Sequence, residues 1–125
     1  MSIISFLAAS RKLSNFAYAS KKEIILIDNY VDLSILQRLA KKKKGVNVTI
    51  YTDPKTKLTA QDILFFNTQY PTLTVNYTTK THDRFLIIDN STIYHIGASL
   101  KDLGKKCFGF TVFDPSFIPM ILENL

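Results

Sequence analysis

A histidine and an arginine stand one residue apart in the stretch His82-Asp83-Arg84-Phe85-Leu86-Ile87-Ile88-Asp89. A neutral imidazole can attack an electrophile, or take and give protons, near neutral pH. A guanidinium offers phosphate oxygens a planar fork of fixed cationic donors. Read as a strand, the stretch sends His82, Arg84, Leu86 and Ile88 to one side, because side chains alternate with a period of two. A two-residue loop at Asn90-Ser91 would return the chain along Thr92–Ile96. In that register Ser99 lies opposite His82, and Gly97 lies opposite Arg84. An acid/base or nucleophilic imidazole, a phosphate clamp, a hydroxyl and a space-making glycine would then share one patch. The register decides this, since a slip of one residue turns Ser99 to the other side. His95, the second of two histidines, pairs with Leu86 in the same register, roughly 13 Å along the strand from His82. It is expected to be a partly buried structural residue.

The bounds set by composition agree with such a site. The 125 residues suit one domain spanning 1–125, with a modest core. No apolar run approaches the ~20 residues of a membrane helix. The apolar segment Ile3–Ala9 has no basic residue before it, unlike a signal peptide. The single cysteine, Cys107, rules out an internal disulfide, and no metal-ligand spacing is present. A reducing cytoplasm is the expected compartment. Sixteen Lys and Arg against ten Asp and Glu leave a net charge of +6, which favours a polyanionic partner.

The elements that must position the site read as follows. Ile3 to Ala19 has helical spacing of Ile3, Phe6, Leu7, Leu13, Phe16 and Ala17. Glu23–Ile27 is an unbroken apolar run, as expected of a parallel strand covered on both faces. Asp28-Asn29-Tyr30 follows at its carboxyl end, where ligands gather in α/β sheets, although a loop or helix-entry carboxylate also accounts for Asp28. Asp32 can cap a helix whose stripe is Leu33, Leu36, Leu39 and Ala40. That helix is predicted to end in Lys41-Lys42-Lys43-Lys44 before Gly45. There the cations suit the helix dipole and the glycine a left-handed residue. Val46, Val48 and Ile50 alternate as a second strand. Ala60 to Tyr70 is a helix with Ile63, Leu64 and Phe66 inward, and Leu73–Tyr77 is a third strand. A turn or short helix is expected at 100–106, a strand over Phe108–Phe113 and a short helix over Phe117–Leu122. The pattern predicts an α/β fold, a mixed β-sheet covered by helices on both faces.

His82-x-Arg84, Asp89 and the later Gly97-Ala98-Ser99 resemble the His-x-Lys, Asp and Gly-Ser motif of the phospholipase D superfamily. The frames Ile24–Asp32 and Gly45–Tyr51 resemble one half-domain of that fold. Arg84 stands where the superfamily has lysine, and Gly97 falls one residue late. No asparagine follows two residues after Ser99. The resemblance implies a metal-independent phosphodiesterase that needs no cofactor, with two copies of the motif meeting in one active site. It assigns His82 as nucleophile and acid/base, Arg84 as phosphate clamp, Asp89 as orienting carboxylate and Ser99 as supporting donor. Gly97 would leave room for substrate.

With one motif per chain, the resemblance further implies a homodimer. Lys80, Lys101, Lys105 and Lys106 surround the motif with positive charge, favouring a nucleic-acid backbone, DNA or RNA, over a lipid. No membrane is expected as a partner. Two functions follow: a nuclease working through a phosphohistidine, or a catalytically degenerate half-domain that dimerises and binds a polyanion or a partner protein.

Overall fold

The computed structural model describes the backbone over residues 3–97 and 109–125, with side chains from residue 11 onward. Among the described residues, four helices and six strands follow in the order α1 (Ile3–Ala19), β1 (Glu23–Ile27), α2 (Leu33–Leu39), β2 (Asn47–Thr52), α3 (Ala60–Gln69), β3 (Leu73–Tyr77), β4 (Phe85–Ile88), β5 (Thr92–Gly97), β6 (Gly109–Phe113) and α4 (Phe117–Glu123). The strands form one sheet in the order β3-β2-β1-β4-β5-β6. β1, β2 and β3 are parallel, and β4, β5 and β6 continue the sheet antiparallel.

Local chemistry starts two of these helices. Asp32 caps α2 by accepting from the Ile35 N–H. Thr59 and Asp62 form a reciprocal capping box at the head of α3. Leu13 and Ala17 of α1, Leu36 and Leu39 of α2 and Phe66 of α3 pack over Ile24, Leu26, Val48, Ile50, Leu73 and Leu86 on one face of the sheet. Ile118 of α4 covers Ile27, Phe85, Ile87 and Ile93 on the other. Each fully buried Ile or Leu side chain stabilises by about 1.5–3 kcal/mol, so the central pair β1 and β4, apolar on both faces, anchors the fold.

Three expectations about the elements need correction. Leu33 and Leu64, expected inward, are 49% and 59% exposed. Leu33 opens onto a hollow between α2 and α3 that Leu36, Phe65 and Phe66 also line. The lysine run is not helical: α2 stops at Leu39, with Ala40 as its cap, and Lys41–Lys44 form the loop into β2. Gly45 does take the left-handed conformation, with φ +87°.

The hairpin differs most. β4 begins at Phe85, so His82 and Arg84 precede the strand. Ile88 pairs with Thr92 and Phe85 with His95, one residue away from the expected register. Asp89 and Asn90 both have positive φ, 55° and 52°, and the Ser91 N–H bonds back to the Ile88 carbonyl at 3.1 Å. Asp and Asn tolerate this region, so the turn starts one residue earlier than expected. Ile96, not Gly97, therefore donates its N–H to the Arg84 carbonyl at 2.9 Å.

Candidate active site

The carboxyl ends of the parallel strands carry the candidate site. Ile27 of β1 pairs with Phe85 of β4, so the next residue outward on each strand, Asp28 and Arg84, stand side by side. Their parity places both on the face of the sheet shared by Leu26 and Leu86. Arg84 Nη1 lies 3.9 Å from Asp28 Oδ2. This is a long ion pair in which the carboxylate is buried and the guanidinium partly exposed.

Burial pushes the Asp28 carboxyl above its usual range, and the Asp32 charge adds to that push. The Tyr30 N–H, 2.9 Å from Oδ1, and the Arg84 charge only partly offset it. The Asp28 carboxyl faces the guanidinium from the buried side of the pair. Its position at the end of an apolar strand was visible in the sequence, but its partner was not, since β4 lies roughly sixty residues away.

His82 is exposed on the loop before β4. That loop is tied down by Asn29, whose Nδ2 donates to the Thr81 carbonyl at 2.7 Å. Asn29 Oδ1 is buried with no hydrogen-bond partner among the described residues. Tyr30 is 86% exposed at the same rim, an aromatic neighbour that sequence reasoning did not single out. Lys80 lines a hollow of about 430 Å³ with Tyr51, Asn76, Tyr77 and Thr78 at the ends of β2 and β3. Among the described residues, no group of three or more His, Cys, Asp or Glu side chains could hold a metal ion. No described helix is long and apolar enough to cross a membrane.

The other expected site residues fall elsewhere. Asp89 sits at the far end of β4, roughly 16 Å along the strand from Arg84. Its carboxylate accepts from the N–H groups of Lys21, Lys22 and Glu23 at 2.7–3.1 Å, so it cannot orient His82. Burial would raise its pKa, but the bonds from Lys22, Lys21 and Glu23 and the Lys21 charge prevail and lower it. Gly97 pairs with Gly109 of β6 and does not oppose Arg84. The shifted register carries it to the position facing Asp83. Ser99, Lys101 and Lys105 lie outside the described residues. His95 pairs with Phe85, not Leu86. It stacks on Phe113 with ring centroids 5.4 Å apart and meets the edge of Phe85. Its Nε2 lies 3.6 Å from Asp83 Oδ1, which suits a structural histidine.

The chain superposes on NucT from Helicobacter pylori with a TM-score of 0.62 and 13% sequence identity, over 97% of this chain and 87% of that one. The two chains share a fold, a mixed sheet with helices. A second solved structure, TrmBL2, is titled an archaeal chromatin protein with a novel mode of DNA binding. It matches with a TM-score of 0.57 and 16% identity over 92% of this chain. The chain spans 43% of TrmBL2. No protein-family profile matches the sequence, and no curated protein matches it. At these identities the likeness is one of fold, and the α/β architecture with helices on both faces agrees with the sequence reading.

Proposed function

We propose that this chain is a metal-independent phosphodiesterase acting on a nucleic-acid backbone as a homodimer. The observation that carries this reading is the Asp28–Arg84 pair at the rim of the sheet, beside the exposed His82 loop. A cation held by a buried carboxylate is pre-aimed, so little side-chain entropy is lost when two phosphate oxygens bind its fork. In the reaction, an imidazole nitrogen of one His82 attacks phosphorus as the bond to the leaving oxygen breaks. That oxygen takes a proton from His82 of the partner subunit. Water then attacks the phosphohistidine, gives its proton to the same partner imidazole and frees the first. Lys80 and Tyr30 suit a flanking phosphate and a stacked base.

A second reading has its own support. TrmBL2, a fold neighbour, is described by its DNA binding, and Arg84 replaces the lysine of the resembled motif. The chain would then be a degenerate half-domain that dimerises and binds a polyanion.

Cleavage of single- and double-stranded DNA and RNA in excess chelator tests the choice, with wild type compared against His82→Ala. Wild-type cleavage that vanishes in the variant, with unchanged far-UV circular dichroism, is the expected result. Equal rates would assign the activity to a contaminant and favour the binding module.

A further inference from the structure

The second concentration of charge lies at the opposite end of the sheet. Lys21 and Lys22 immediately precede β1, and Lys41–Lys44 precede β2. Because β1 and β2 are parallel and paired from Glu23 and Asn47 onward, these six lysines gather at one edge. The Asn47 N–H bonds to the Lys22 carbonyl at 3.1 Å, joining the two segments. The carboxylates in these segments and in the adjoining β4–β5 turn are Glu23 and Asp89, and Asp89 is committed to backbone amides. Among the described residues, no lysine of the edge has a carboxylate within ion-pair distance. Apart from the attraction between Asp89 and Lys21, the lysine charge is left unpaired within this part of the chain.

The loop is also built, with a hollow beside it. The Lys41 and Lys42 N–H groups bond to the Arg38 and Leu39 carbonyls, and the Val46 N–H to the Lys43 carbonyl. Lys42 is buried, 8% exposed, with its Nζ donating to the Pro71 carbonyl at 2.9 Å. Burial lowers its pKa, a cost that a nearby anion would relieve. Lys42, Lys43 and Lys44 line a hollow of about 550 Å³ with Asn47, Gln69 and Tyr70. The Lys43 ammonium lies 5.4 Å from the centroid of the Tyr18 ring, and Tyr18 and Tyr70 are 64% and 39% exposed.

We infer that this lysine edge is a second nucleic-acid contact, separate from the His82 rim, that holds a phosphodiester backbone through Lys41, Lys43 and Lys44. Unneutralised lysines beside amide side chains and aromatic rings suit sugar-phosphate and bases. A membrane surface would want exposed aliphatic side chains to insert, and no Leu, Ile, Val, Met or Phe lines the hollow. The two ends of β1 are roughly 13 Å apart, so one strand can touch both or two segments can be held at once. Binding here needs no His82 chemistry.

Fluorescence anisotropy tests the site, using the full chain carrying His82→Ala, in chelator, with a labelled single-stranded oligonucleotide. Lys41→Ala/Lys43→Ala/Lys44→Ala changes only exposed side chains and leaves Lys42 in place, and its thermal transition checks that it folds. The triple variant is expected to lose at least about tenfold in affinity, and its dependence of log K on log salt should flatten by about 2. Lys55→Ala/Lys57→Ala, at the other end of the sheet, should change the slope far less per lysine removed. An unchanged affinity and slope in the triple variant would overturn the inference, as would equal effects per lysine in the two variants. Binding of the His82→Ala chain to phosphatidylserine vesicles and not to the oligonucleotide would also overturn it. Because turnover is absent throughout, a failed cleavage assay leaves this result interpretable.

Discussion

Asp28 and Arg84 meet although they lie in distant parts of the chain, because antiparallel pairing of β1 with β4 places them next to each other beyond Ile27 and Phe85. The buried carboxylate sets the guanidinium's position and balances part of its charge.

Arg84→Lys restores the residue of the resembled motif, yet it replaces a fork by a compact ammonium on a different reach. In the proposed enzyme this should lower turnover by about one to two orders of magnitude, roughly 1.4–2.7 kcal/mol. Steady-state kinetics on a nucleic-acid substrate measure it. A lysine variant as fast as wild type would remove bidentate binding from the account.

The Asp89 carboxylate and the amides of Lys21, Lys22 and Glu23 should show in stability. Asp89 has its pKa lowered on folding, so its contribution is present above the ordinary value of 3.8 and is lost as pH falls through the folded value. Asp89→Asn keeps a residue that accepts positive φ but removes the charge. It should cost about 1–2 kcal/mol at neutral pH and progressively less in acid. Urea unfolding of both proteins at about pH 7 and about pH 3 tests this, and a deficit that grows in acid would refute it.

The proposed site needs two His82 residues, and each chain has one. Light scattering at tens of micromolar should therefore report a dimer, related by an isologous contact that brings the two His82 loops together. A monomer under these conditions would rule out the shared site.

Much of the architecture is legible from local pattern. The limits of α1 and β1 follow from the helical spacing of Leu13, Phe16 and Ala17 and from the apolar run Ile24–Ile27. Asp32 caps the start of α2 as its residue type suggests. What escaped was decided by partners distant in sequence. Leu33 and Leu64 match their helical stripes but stay largely exposed. The turn moved by one residue because Asp89 is bound by amides of the α1–β1 junction, and the register of Gly97 moved with it. The same capture removes Asp89 from the site. Asp28 became a site residue only through the pairing of β1 with β4. The four lysines resembled a helix terminus until the helix was seen to stop before them.

The strand order has a kinetic meaning as well. β1 must pair with β4 across roughly sixty intervening residues, so its loop-closure entropy is paid late in folding. The two βαβ crossovers that follow β1 can form from nearer contacts first. Asp28 and Arg84 then come together only in the last assembly step, when the antiparallel half zips onto the parallel half. A partly folded chain would carry the lysine edge without the Asp28–Arg84 pair, so under the two proposals above it would hold nucleic acid before it could cut it.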